Sequence, residues 1–251
     1  MNETWLALSF HAAWAANLLA AGLGLANRPG LARGAGWLAL ACCLSHALAL
    51  VAVLGRPPLS GPYETAVLVA LTLDALAVLP LATAGAQTAV AWRCCMTAGL
   101  VLALFAFLPR RLFPDWYMYN YFWTRMFFLC RVAAVAGMLY GSLAALAFWG
   151  RGLDRHAQEQ ALARSRNLLL LCTALYLAGE LAGFTWRLHW LGDYWSWSRN
   201  FLEATLFFLL VTAALHLPPR WAAKPLYRAR AQAAPGLIML ILMCIHLLPE
   251  V

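Results

Sequence analysis

Six histidines and a cluster of tryptophans are the residues of this chain best equipped for chemistry. His11, His46, His216 and His246 fall inside long apolar runs, His189 adjoins Trp190, and His156 lies in a charged stretch. An imidazole inside an apolar run is costly in lipid, so it is there either to hydrogen-bond between helices or to ligate a metal ion. The segment Trp190-Leu191-Gly192-Asp193-Tyr194-Trp195-Ser196-Trp197 places three indoles and a phenol within eight residues. Such rings either anchor helices at headgroup level or offer a broad apolar face to a planar partner. Arg187 and Arg199 flank the segment; a guanidinium there is an interface anchor or a partner for a carboxylate.

Four ionisable residues lie deep inside apolar runs: Asp74, Arg93, Arg131 and Glu180. Arg131 and Glu180 each fall about six residues, or ~9 Å, inside the same boundary at the helical rise. An ion pair between the fifth and sixth runs is the expectation. The seven cysteines, Cys42, Cys43, Cys94, Cys95, Cys130, Cys172 and Cys244, all sit in apolar runs and form no C-x-x-C. They read as small packing residues, not as a redox or metal motif. No phosphate-binding loop, nucleophile elbow or zinc signature occurs, so no catalytic residue is assigned.

These groups are carried by elements that composition describes well. With 64% hydrophobic and 11% charged residues, the chain cannot clothe a water-soluble surface. The expected fold is all-α, a polytopic helical bundle in a bilayer, forming a single domain over residues 1–251 with a Trp-rich loop at about 187–199. A span needs roughly 20 apolar residues. Eight candidates follow: Trp5–Ala26, Ala35–Leu54, Glu64–Ala84, Thr88–Leu108, Thr124–Trp149, Asn167–Trp186, Asn200–Leu217 and Pro235–Leu248. Breaks fall at Arg28-Pro29-Gly30, Arg56-Pro57-Pro58, Arg110-Arg111, the charged stretch Arg151 to Arg166, and Pro218-Pro219-Arg220. The first run lacks a basic leader and a cleavage site and reads as a retained span.

The net charge of +8 is spread over short inter-span segments, which argues for topology signals and against a nucleic-acid partner. Segments after odd-numbered spans hold ten Arg and Lys, against six on the other side. The positive-inside rule then puts both termini outside, together with the aromatic segments Leu112–Tyr121 and Arg187–Arg199.

The order of residues from Trp190 to Trp197 resembles the W-G-x-Y-W-x-W-D signature of the cytochrome c assembly family of haem-handling membrane proteins (CcsA/CcmC type), in its CcsA branch. Arg56-Pro57-Pro58-Leu59-Ser60-Gly61-Pro62-Tyr63-Glu64 is similar to that family's P-L-S-N-x-Y-E-S segment, and Gly141-Ser142 to its G-S pair. The family's next histidine stands nineteen residues past the last Trp of the signature, which is His216, and its outward histidine on the last span corresponds to His246. The resemblance implies a haem-handling protein of the inner (cytoplasmic) membrane. It presents b-type haem to apocytochrome c outside, with a membrane partner carrying an external domain, as in system II. Haem would rest on Trp190, Tyr194, Trp195 and Trp197, its propionates near Arg187 and Arg199, its iron on imidazoles from among His46, His216, His246 and His189. Iron takes imidazole axially and indole stacks on a macrocycle, so the chemistry agrees.

Two departures stand out. The family's D-P-K-E-T after the signature is replaced by Ser198-Arg199-Asn200-Phe201-Leu202, and its histidine at the outer start of the preceding span is replaced by Phe127, with His189 or Met126 as substitutes. Three roles remain open: a haem-presenting component of a haem-attachment (synthase) system; a HemX-like accessory protein of tetrapyrrole synthesis; and a membrane b-type cytochrome that carries electrons.

Overall fold

The structure is a computed structural model that describes residues 3–79, 84–107, 110–112, 117–149, 155–192 and 199–247. Among them the regular structure is entirely helical: α1 (Glu3–Leu25), α2 (Pro29–Leu54), α3 (Pro62–Val78), α4 (Ala84–Phe107), α5 (Phe122–Leu146), α6 (Arg155–Leu191), α7 (Arg199–Leu215), the short α8 (Pro219–Ala222) and α9 (Pro225–Leu247), with 3-10 turns at Tyr117–Asn120 and Ala147–Trp149.

Proline and glycine set the boundaries. Pro29 and Pro62 stand in the first turns of α2 and α3, where a missing N–H costs nothing. Gly55 closes α2 with φ 65°, its N–H returning to Val51 O, a left-handed cap that glycine adopts without strain. Large apolar side chains remain exposed along the helices, among them Leu8, Leu19, Leu38, Leu48, Leu171 and Leu181. Backbone groups satisfied within helices, under a surface of aliphatic side chains, are what a bilayer requires.

Among the described residues five stretches are long and apolar enough to cross a membrane: Thr4–Leu25, Pro29–Leu54, Val90–Phe107, Phe122–Leu146 and Arg155–Leu191. The charged stretch expected to be a break through Arg166 is helical from Arg155, and α6 runs on to Leu191, 37 residues in all. Arg187, His189 and Trp190 therefore occupy the last turns of a helix, not an irregular loop.

The chain divides into two compact units, Met1–Asp115 with Cys244–Val251, and Trp116–Met243. The first is a four-helix arrangement of α1 to α4. Small residues fill its interior, such as Ala13, Ala20, Ala39 and Ala98, which lets helix backbones approach closely where no hydrophobic force acts between them.

In the second unit α5 and α6 form the most extensive helix pair. Two G-x-x-x-G sequences line this pair at different levels: Gly137 and Gly141 on α5 pack against Ser165, Leu168 and Cys172 of α6, and Gly179 and Gly183 on α6 pack against Phe127 and Cys130 of α5. A Cβ at Gly137 would lie 2.7 Å from Cys172 Sγ, and one at Gly183 would lie 2.7 Å from a ring carbon of Phe127. Beside them Ala134, Met138, Leu169, Cys172 and Tyr176 close on Phe207 and Val211 of α7.

Helix α9 contains Pro235. Ser142 of α5 donates to Gln232 O (3.0 Å) and accepts from Gly236 N (2.9 Å). Those are the two groups an uninterrupted helix would pair with each other, so the serine hydroxyl is inserted into the ladder beside the proline. This is the serine of the Gly141-Ser142 pair.

Candidate functional site

At the end of the second unit where α5 begins and α6 finishes, three aromatic rings meet. Tyr121 stacks on His189 with centroids 4.8 Å apart and planes 16° apart. Trp190 stands edge-on to both, 4.9 Å from His189 and 6.0 Å from Tyr121. The His189 ring is exposed and makes no hydrogen bond among the described residues. An imidazole held by stacking, with both nitrogens open to a partner, fits the position of an axial ligand. Arg187, two residues earlier on the same helix, is half-buried.

One layer deeper, Phe127 packs against Gly183 and Trp186, whose indole centroid is 6.2 Å away. Phe127 is thus an apolar ring seated on a glycine. Below it Arg131 pairs with Glu180, Nε at 3.2 Å and Nη2 sharing the same oxygen. The guanidinium also lies 4.4 Å from the Phe127 ring and 5.6 Å from that of Tyr176, and Tyr176 stacks on Phe207. The ion pair foreseen between the fifth and sixth runs is present, wrapped in aromatic faces.

His216, near the end of α7, is exposed and its Nδ1 meets Thr212 O at 2.9 Å. A carbonyl accepts only from N–H, so this bond places the proton on Nδ1 and leaves the Nε2 lone pair to face outward. His11 is set the same way against Ala7 O at 2.6 Å.

His46 belongs to the first unit and is arranged differently. It is buried; Nδ1 meets Ser9 Oγ at 2.8 Å and Nε2 meets the Tyr63 hydroxyl at 2.6 Å. Since Ser9 Oγ donates to Leu6 O, it accepts from His46 Nδ1–H, and Nε2 accepts from Tyr63. Both ring nitrogens are therefore engaged.

The Arg56–Glu64 segment is a closed clasp. Arg56 reaches Glu64 through two bonds of 2.8 and 3.0 Å, with side chains 3% and 0% exposed. Glu64 also accepts from Ser60 N at 3.1 Å, and Arg56 donates to Pro57 O at 3.1 Å. Tyr63, its neighbour in sequence, holds His46 and packs on Phe10 and Phe105. Each residue of this motif with a polar head is thereby tied to the next helix or the turn before it.

Tyr194, Trp195 and Trp197 lie outside the described residues, and the side chains of Arg199 and His246 do too. The sequence reading missed Tyr121, which stacks on His189 from 68 positions earlier; nothing local marks it among the neighbouring aromatics. It also missed the paired G-x-x-x-G sequences, whose spacing was available.

No protein-family model matches the chain, and no curated protein matches it. Solved structures do. The cytochrome c heme lyase CcmF aligns with a TM-score of 0.72 over 94% of this chain, at 17% identity. The chain shares that protein's fold. It spans less than half of that neighbour, 46% of its length. The shared fold runs through both compact units.

Proposed function

We propose that this chain is a multi-pass membrane protein of cytochrome c maturation that handles haem. The observation carrying this reading is the fold held in common with a cytochrome c heme lyase over 94% of the chain. The resemblance of the Trp190–Trp197 segment to the family signature supports it, with His189 and Tyr121 beside the start of that segment.

In this reading the chain crosses the bilayer eight times with both termini outside, as one membrane domain, and the Trp-rich segment faces outward. Haem rests on Trp190, Tyr194, Trp195 and Trp197. Iron, supplied by the haem, takes an imidazole on its axis; His189 is best set for that, with His246 as the second external ligand. Arg187 and Arg199 meet the propionates. His216, with Nε2 free, serves as a ligand nearer the other face. Apocytochrome c and a partner with an external domain complete the system.

A HemX-like accessory role keeps the fold without synthase chemistry. Two observations favour weighing it: Phe127 fills the place of a family histidine, and both nitrogens of His46 are already bonded.

The test is the reduced-minus-oxidised absorption spectrum of purified protein with haem quantified per chain, repeated on His189→Ala, His216→Ala and His246→Ala. A b-type spectrum lost on substitution of His189 or His246 supports haem presentation. Two stable, reversibly reduced haems per chain would move the reading to an electron carrier. No haem in folded protein made with ample haem supply would leave the accessory role.

A further inference from the structure

The interior of the first unit holds a carboxyl group that no ion pair accounts for. Asp74 of α3 and Asn17 of α1 are both 0% exposed. Asn17 Nδ2 is placed against three acceptors: Asp74 Oδ2 at 3.1 Å, Ala13 O at 3.1 Å and Cys43 Sγ at 3.5 Å. It has two hydrogens to give. Asp74 Oδ1 and Asn17 Oδ1 are buried with no hydrogen-bond partner among the described residues. The Cys43 thiol beside Asp74 adds one hydrogen, yet Asp74 Oδ1 and Oδ2, Asn17 Oδ1, Ala13 O and Cys43 Sγ still outnumber the donors, and buried acceptors left so are costly.

Among the described residues no neighbouring positive charge relieves this. The titratable groups around Asp74 are the thiols of Cys42 and Cys43 on α2 and of Cys94 and Cys95 on α4. Arg56 is bound to Glu64, ten positions earlier on α3, or about 15 Å along the axis. Arg93 lies against the Trp92 ring, and Arg110 lies over Phe10. An ionised carboxylate held among apolar helices without a counter-charge is strongly disfavoured against its neutral form. A hard cation would need about six oxygens, and only two are offered beside thiols. No group of three His, Cys, Asp or Glu among the described residues is placed to hold a metal ion.

We infer that Asp74 is a proton-binding site inside the membrane, its carboxyl neutral and the bound proton supplying the donor that the Asn17–Asp74 cluster lacks. The inference stands apart from the haem reading and survives its failure. Intramembrane carboxyls with a named polar partner are the usual seats of proton exchange in helical membrane proteins.

The experiment is infrared spectroscopy of the full chain in lipid at neutral pH, with and without 13C-aspartate. Asp115, Asp154 and Asp193, the other aspartates, fall between spans in the sequence. The expected result is one carbonyl-stretch band of a protonated aspartate per chain, downshifted in D2O and by the isotope, absent from Asp74→Asn. Asp74→Asn should also melt no lower than the parent, because the amide brings a donor and no charge. Absence of the band at neutral pH overturns the inference. So does a band that disappears on adding sodium or potassium, which would make the occupant a cation.

Discussion

Arg56 and Glu64 are bonded twice and sealed from solvent, so removing one takes from the other the counter-charge it holds in a buried site. Glu64→Ala is expected to cost about 3–5 kcal/mol, read as a large fall in melting temperature in detergent, and Arg56→Met with Glu64→Leu should recover part of it. Equal melting of parent and Glu64→Ala would show the clasp to be slack. His46 gives a second prediction at this scale. Its Nε2 is held by Tyr63, so Tyr63→Phe should lower stability by about 1–3 kcal/mol while haem content per chain holds or rises, because a ligand nitrogen is released. A loss of haem in that variant would argue that the hydroxyl supports a bound cofactor. The sequence showed the motif from Arg56 to Glu64 but not what it does. Its bonds to Ser60 are local, whereas the Tyr63–His46–Ser9 line joins three helices.

Helices were the most legible level, and their ends the least. The segment from Arg155 to Arg166 looked like a break because it is charged. Yet, apart from His156 and Ser165, it is built from Ala, Gln, Glu, Leu and Arg, strong helix formers, without proline or glycine, and Arg228 of α9 anchors it through Glu159 at 2.8 Å. Spacing alone would have disclosed the α5–α6 seam. Gly183→Ala must drive Phe127 aside, and an overpacking cost of about 1–3 kcal/mol is expected, measured by thermal unfolding; an unchanged melting point would mean the ring swings freely. The insertion of Ser142 into α9 was beyond any local signal, since 90 positions separate it from Gln232. Ser142→Ala strands a carbonyl and an amide and should cost about 1–3 kcal/mol. Faster hydrogen exchange at the Gly236 amide than in the parent would locate the loss; unchanged exchange would assign the bond to another acceptor.

For the molecule as a whole, composition carried the lipid environment and the helical class; the helices long and apolar enough to cross a membrane agree with the first, and the fold in common with CcmF agrees with the second. Orientation rests on charge counting, and it is checked with a membrane-impermeant thiol reagent on chains cleared of native cysteines. Asn2→Cys should be labelled from outside and Arg220→Cys protected until the membrane is opened; the reverse pattern would invert the topology. The Arg131–Glu180 pair bears on biogenesis. An arginine near the middle of a lone span is penalised by about 2.5–3.5 kcal/mol during insertion, and a glutamate on its own is unwelcome too. Each of these helices is thus a poor passenger alone. Together, the glycines of each helix seated on side chains of the other and charge against charge, they form a hairpin that can leave the translocon as one unit, so that α5 must wait at its exit until α6 has been made.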